Sequence, residues 1–417
     1  MTAADPKNGG TLRGKRLLVV EEAMKGPVGH WFEYVKAVSE LNRAEGVEVD
    51  VVCHRDAEDS IRRELNLHSL FPRTNWDNVY AHPKAWRRYL GIIRHNWLVY
   101  RTMNRFVKEH GPYDCLFAPT VVIFHLGGWR LLMARHGGRR IGRMVLFFRN
   151  NAGAYVDGSP VPIFKRSTAV LKWLIRSFRP WLARGKVEFA TDSARLAREY
   201  HYLSGITPTE FPSPRIAPPD PGMYDPRDPA KPITFACLGP ARFEKGIDVM
   251  QDAIRDYLAG AAGDANVRFV IQWNAEILDE HGNLYEPDPA LVADRRVDFI
   301  RHAMDSAEYD AVVADTDVML LPYRRESYYA RISGVAVEAV TSGTPVIYTR
   351  DTWCEDLVTA NGAGVGAENN DSGDLQRAIA ETVARYAELR QAALDRAESA
   401  REAHGGGTFL QRLWGTG

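Results

Sequence analysis

A chain of 417 residues is longer than one hydrophobic core ordinarily organises, so two domains with a cleft between them are the simplest expectation. Its 53 basic and 53 acidic side chains cancel, which removes any global attraction for polyanions, leaves nucleic acid out of the expected partners and requires any anion site to be local. The 45% hydrophobic and 25% charged composition is that of a globular protein, and Cys53, Cys115, Cys237 and Cys354 stand too far apart to form a CxxC pair, so neither a zinc site nor a disulfide framework is expected.

The polar stretch Met1 to Gly10 holds no apolar segment, and about 18 apolar residues never run together, so neither a secretion signal nor a membrane span is expected and a reducing, cytoplasmic setting is. Residues 1–12 read as a disordered leader. Arg16 to Val20 reads as a strand, Gly26-Pro-Val-Gly29-His30-Trp31 as a loop, and Trp31 to Asn42 as a helix. Strands at Val47 to Val52, Cys115 to Ala118, Met144 to Phe148 and Val187 to Ala190 follow, with helical spacers between. The prolines from Pro208 to Pro232 argue against regular structure and place a linker at 214–231 between domains at 13–213 and 232–403.

Beyond the linker the alternation begins again: strands at Ile233 to Leu238, Val267 to Gln272, Val297 to Ile300, Val318 to Leu321 and Val346 to Tyr348, and helices at Gly246 to Leu258, Gly334 to Thr341 and Asp374 to Glu402. Strands alternating with helices imply an α/β protein with two doubly wound parallel sheets, each Rossmann-like. The last segment, 404–417, carries Phe409, Leu410, Leu413 and Trp414, apolar surface that is expected to pack back on the N-terminal domain.

Two segments carry the chemistry. Leu238-Gly-Pro-Ala-Arg242-Phe-Glu-Lys245-Gly246 follows a strand and precedes a helix, where backbone amides face outward and suit an anion. Arg242 can grip phosphate oxygens with two donors while Lys245 adds a point charge. An ordinary solvated loop is the alternative. In Arg331-Ile-Ser333-Gly334-Val-Ala-Val-Glu338 the amides and positive dipole end of a helix would meet phosphate at Ser333 and Gly334, and Glu338 one turn on suits a ribose diol. Its alternative is a surface or capping charge, although an unpaired carboxylate among valines and alanines would be costly.

In their order along residues 231 to 400 these motifs resemble the C-terminal lobe of retaining GT-B glycosyltransferases of family 4. The resemblance implies two lobes facing a cleft, with Gly239, Arg242, Lys245 and Gly246 on the donor diphosphate and Glu338 on the ribose. The run Asp315-Thr-Asp317-Val-Met-Leu-Leu-Pro322-Tyr resembles the strand leading into the donor loop. The family often pairs two glutamates eight positions apart, but Ala330 stands eight before Glu338; Arg331 or Glu326 is left to substitute, with Arg331 ranked first. The family's histidine after an apolar strand is replaced by Arg149-Asn150, so Arg149 or Asn150 takes its role, or His125 or His30 does from another loop. In such enzymes the leaving diphosphate is stabilised by fixed positive charge and a phosphate oxygen takes the acceptor's proton, which implies a saccharide product and no cofactor or metal, the nucleotide-sugar being a substrate. Asp315-Thr-Asp317 precedes its strand rather than following it, which favours a solvated turn over a cation site.

The loop with Gly29 and His30 stands at the end of the first strand, where open α/β sheets face their ligand crevice, and the resemblance implies that it faces the acceptor; an ordinary strand-to-helix connection is the alternative. From Phe164 to Lys186 seven basic residues occur without an acidic one, and opposite Lys165, Lys172, Arg176 and Arg179 fall Val170, Leu171, Leu174, Ile175, Phe178 and Trp181. That pattern suits core packing, the favoured reading, or contact with an anionic inner membrane face, in which case the acceptor is a lipid-linked saccharide. Trp86, Tyr89, Trp97 and Tyr100 among Arg87, Arg88, Arg94 and Arg101 offer the same choice. A catalytically inactive relative that binds a glycan or a partner protein is the alternative function, and an epimerase of the same fold is disfavoured for want of acidic and histidine groups to surround the sugar.

Overall fold

Short runs of β-branched and aromatic residues pair in parallel to form two separate sheets. The computed structural model describes residues 12–26, 30–74, 76, 84–156, 159–165, 168–214, 231–260, 266–279 and 281–415. The chain divides into two compact units, 1–216 with 405–417, and 217–404. Most of the expected linker, 215–230, lies outside the described residues.

In the first unit β1 (Arg16–Val20), β2 (Glu48–His54), β3 (Leu67–Phe71), β4 (Tyr113–Ala118), β5 (Ile141–Phe148), β6 (Val187–Thr191) and β7 (Thr209–Glu210) lie in the order β3-β2-β1-β4-β5-β6-β7. Leu17 pairs with Val49 on one side and Cys115 on the other. Leu17 to Val20, Cys115 to Ala118 and Met144 to Phe148 are buried throughout, because helices cover both faces of the sheet; such strands read as unbroken apolar runs.

The second unit repeats the plan with β8 (Ile233–Cys237), β9 (Val267–Gln272), β10 (Val297–Ile300), β11 (Val318–Leu321), β12 (Val346–Thr349) and β13 (Gly364–Ala367) in the order β10-β9-β8-β11-β12-β13. In each unit the order reverses beside the first strand, between β1 and β4 and between β8 and β11, and open α/β sheets place their ligands at the carboxyl ends of such strands.

Four elements depart from the sequence reading. β7 is a two-residue strand just after Pro208, inside the stretch expected to lack regular structure, and it pairs with Ala190 and Thr191 of β6. β3 leaves Leu67, His68 and Ser69 half-buried and exposes Leu70 along an edge, and β13 begins at Gly364, where a Cβ would strike the backbone of Val346; neither looks like a buried strand. The expected helix from Asp374 to Glu402 is two helices, Ser372–Ala384 and Tyr386–Ala403, broken at Arg385 without a glycine or proline. The end of the chain forms the helix Gly406–Trp414, whose Phe409 and Leu413 enter the core of the first unit. Phe409 meets Phe117 edge-on at 5.7 Å, and Trp414 donates its indole N–H to Asn42 Oδ1 at 2.8 Å.

Candidate functional site

At the reversal between β8 and β11 the two glycine and basic motifs come together. The chain leaves β8 through Gly239 (φ +86°), where a Cβ would collide with the Lys245 ammonium, and enters the helix Ile247–Ala259 through Gly246 (φ +69°), where a Cβ would strike the Pro322 carbonyl beyond β11. Both glycines are thus required by close approach and by left-handed backbone. Gln272, at the end of β9, accepts the Gly239 N–H at 2.5 Å and pins the loop.

The cations are positioned from within the site. Glu244 Oε1 lies 3.4 Å from Arg242 Nη1 and 3.2 Å from Arg331 Nη1, so one carboxylate brings the arginines of both motifs to one place. Arg331 also lies over the Tyr328 ring at 5.0 Å. Lys245 is buried beneath them, its ammonium donating to the Leu238 carbonyl at 3.3 Å and standing 5.8 Å from the Tyr323 ring centre. Desolvation, offset in part by attraction to Cys237, pulls its pKa down to about 8. Such a cluster of positive groups, held by one acid and partly stripped of water, is matched to a multiply charged anion.

The helix Gly334–Thr341 starts at the same place, capped by Ser333, whose Oγ accepts the Ala336 N–H at 3.3 Å and donates toward the Tyr323 hydroxyl at 3.4 Å. Its positive dipole end adds to the field of the arginines. Glu338, one turn on, is buried, and Tyr309 donates to its Oε2 at 2.6 Å. The partner an isolated carboxylate would need among valines and alanines is therefore a tyrosine 29 residues earlier. Glu326 instead accepts from Asn369 Nδ2 at 3.1 Å, in the loop after β13. Asp317 stands at the opposite end of β11, accepting the Thr234 N–H at 2.9 Å and the Tyr386 hydroxyl at 2.5 Å, while Asp315 pairs with Arg268 at 3.2 Å.

A second group of polar side chains lies at the carboxyl ends of β1, β4 and β5. Arg149 donates through Nε to the Pro119 carbonyl at 2.9 Å and stacks over Tyr34 at 4.0 Å. Glu21 is buried beside it; desolvation raises its pKa to about 7 against the pull of a Thr120 hydrogen bond, the Ala23 N–H and the Arg149 charge. Glu22 Oε2 lies 2.7 Å from His95 Nε2, and the His95 ring is 4.0 Å from that of His125, which burial keeps neutral. The Asn150 side chain is exposed, and the backbone carbonyl of Asn150 accepts from the Tyr200 hydroxyl at 3.0 Å. The stretch after it is gathered by Glu199, which accepts from Asn151 Nδ2, the Gly153 N–H and the Tyr155 hydroxyl at 2.7 to 3.0 Å. Gly29 lies outside the described residues, as does the side chain of His30, whose backbone opens the helix His30–Ala44.

Several residues of these sites were not singled out from the sequence. Glu244 sits inside the Arg242 to Gly246 motif, where its charge was the one signal; Gln272, Tyr309 and Tyr323 carry none, being ordinary residues at strand ends or on helices until the sheet joins them. Between Phe164 and Lys186 the expected helix is two short ones, Thr168–Arg176 and Arg179–Leu182. Leu171, Ile175 and Phe178 enter the core while Val170 and Trp173 stay exposed. Among the described residues no helix is long and apolar enough to cross a membrane, and no cluster of histidine, cysteine and carboxylate side chains suits a metal ion.

Residues 232–385 match the model of a family described as glycosyl transferases group 1. Among solved structures the chain is similar to HepE of Anabaena in complex with UDP and glucose (14% identity, 96% of this chain and 99% of that one, TM-score 0.63). It is likewise similar to the sucrose-phosphate synthase of Thermosynechococcus elongatus (15%, 95% and 97%, 0.62) and to the trehalose-6-phosphate synthase OtsA (11%, 96% and 99%, 0.64). At these identities the likeness shows the fold, which is GT-B with two Rossmann-like parallel-sheet units. No curated protein matches the sequence.

Proposed function

We propose that this chain is a glycosyltransferase that takes a sugar from a nucleotide-sugar donor held by its second unit and passes it to a saccharide or lipid-linked saccharide, with retention and without a metal ion. The observation that carries this reading is the convergence of Arg242, Lys245 and Arg331 on one point at the β8/β11 reversal, beside the start of the helix Gly334–Thr341. The match of residues 232–385 to a sugar-transferase family supports it, and HepE, solved with UDP and with UDP-glucose, makes a uridine nucleotide the first donor to try.

On this reading the diphosphate lies against the three cations and the helix start, with Gly239 leaving room for the backbone to approach. The bond between the anomeric carbon and the diphosphate breaks, and the charge that builds on the leaving oxygen is met by groups already in place. The acceptor hydroxyl forms its bond on the same face and gives its proton to a phosphate oxygen, so the nucleoside diphosphate departs carrying it. Glu338, with Tyr309 fixing one oxygen, binds the ribose hydroxyls. Arg149, with Asn150 beside it in the chain, takes the place of the family's histidine near the transferred sugar, and the loop of Gly29 and His30 faces the acceptor.

The test is calorimetry and thermal shift with nucleoside diphosphates and UDP-hexoses, with and without EDTA, on wild type, Arg242→Ala, Arg331→Ala and Glu338→Gln. Binding that survives EDTA, drops at least tenfold in each arginine variant, and is followed by transfer or slow hydrolysis of one donor is expected. Absence of nucleotide binding, or binding indifferent to all three substitutions, sinks the donor site; binding without turnover favours the inactive relative.

A further inference from the structure

The helix Ala85–His110 has two apolar faces. One carries Val99, Met103, Phe106 and Val107 into the first unit. The other points to water: Trp86 is 57% exposed, Ile93 64% and Trp97 53%, with Tyr89 and Leu90 also exposed between them. At 100° per residue these five fall in one stripe about three turns long, and Arg87, Arg94 and Arg101, spaced by sevens, form an exposed row along its edge. A solvated helix face is normally polar, so an apolar stripe of this size marks a contact.

Charge identifies the contact. From Lys84 to Lys186 there are twenty lysines and arginines against Glu109, Asp114 and Asp157, in a chain whose whole count balances at 53 to 53. The crossovers from β3 to β4, β4 to β5 and β5 to β6 all advance in one direction, and right-handed crossovers of that kind place their helices on one face of the sheet. The helix Leu126–His136 lies against Ala85–His110, its Gly128 N–H donating to Asn96 Oδ1 at 2.7 Å, and exposes Leu131 and Arg135; Thr168–Arg176 follows with Trp173 and Lys172 exposed. Two aromatic and basic segments far apart in the chain thus share one side of one unit.

We infer that this side of the first unit is a docking surface for an anionic lipid bilayer, with the helix Ala85–His110 lying in the plane of the interface. Tryptophan and tyrosine suit the headgroup boundary, being apolar with one polar edge, and the arginine row meets the lipid phosphates. A second copy fits less well: the same face brought against itself would oppose two arginine rows with no carboxylate to meet them. The inference is independent of which sugar, if any, the molecule transfers.

Flotation of the full chain with phosphatidylcholine vesicles, and with vesicles that also contain phosphatidylglycerol, tests it. Binding is expected with the anionic vesicles alone, weakening as salt is raised. It should fall at least tenfold both in Arg87→Glu/Arg94→Glu/Arg101→Glu, at about fivefold per charge removed from a lipid surface, and in Trp86→Ser/Trp97→Ser. The arginines are exposed, so that variant is expected to fold, and an unchanged far-UV spectrum checks it. No flotation with anionic vesicles, equal flotation with neutral ones, or variants that float like wild type overturn the inference. So does a dimer in sedimentation that the tryptophan variant dissolves, which would name a second copy as the occupant.

Discussion

Lys245 is a cation buried away from the water that would otherwise stabilise it, and that placement has a measurable consequence. With its pKa drawn down to about 8 from the usual value near 10.5, the folded chain loses this proton before the unfolded chain does. Below pH 8 the full penalty of burying the charge is present; between about pH 8 and 10.5 the unfolded state binds more protons and stability rises with pH. Lys245→Met, which keeps the stem and removes the charge, should therefore raise the melting temperature of the unliganded protein at pH 7, by up to about 3 kcal/mol of stability, while abolishing nucleotide binding in calorimetry. Glu21 carries the opposite sign. Its pKa, raised to about 7, means that the folded state holds a proton the unfolded state has lost above the usual carboxylate range. Its contribution is complete below about pH 4.5 and is lost as pH rises through 7. In urea denaturation the wild type is expected to lose stability between about pH 4.5 and 7, and Glu21→Gln should flatten that decline. An unaltered slope would mean that another group carries it.

At the scale of elements, the phosphate-type loop after β8 depends on two glycines for different reasons, and the second can be tested cleanly. Gly246→Ala introduces left-handed strain and a methyl aimed at the Pro322 carbonyl. It should destabilise the second unit by about 1–3 kcal/mol in urea denaturation and weaken nucleotide binding by moving Lys245. The terminal helix Gly406–Trp414 is the other element with a defined task. Phe409 is fully buried among Tyr34, Phe117 and Phe211, so Phe409→Ala should cost the first unit about 3–5 kcal/mol. The strands were legible because covering a parallel sheet on both faces leaves runs such as Leu17 to Val20 uninterrupted. β13 was not, because the glycines that let it lie close to β12 look like turn residues. The break at Arg385 was invisible for a complementary reason: helical periodicity continues through it, and the change of direction is set by what the second helix packs on.

For the whole molecule, two units with separate cores are expected to unfold in two transitions, which calorimetric scanning should resolve. A nucleoside diphosphate is expected to shift the transition that belongs to residues 217–404, and Phe409→Ala the other. If both perturbations move one shared transition together, the units unfold as one. The sequence alone determined the α/β alternation, the two parallel sheets and the candidate donor loops, because apolar runs, glycine spacing and the order of basic residues are local properties written in consecutive positions. Tertiary structure decided that Glu244 holds Arg242 and Arg331 together and that Tyr309 meets Glu338. It also decided that Leu171 and Phe178 turn inward while Trp173 and the stripe from Trp86 to Trp97 turn out. The contacts of Glu244 with Arg331 and of Tyr309 with Glu338 join residues tens of positions apart, and which of a helix's two apolar faces is covered depends on what the sheet places beside it.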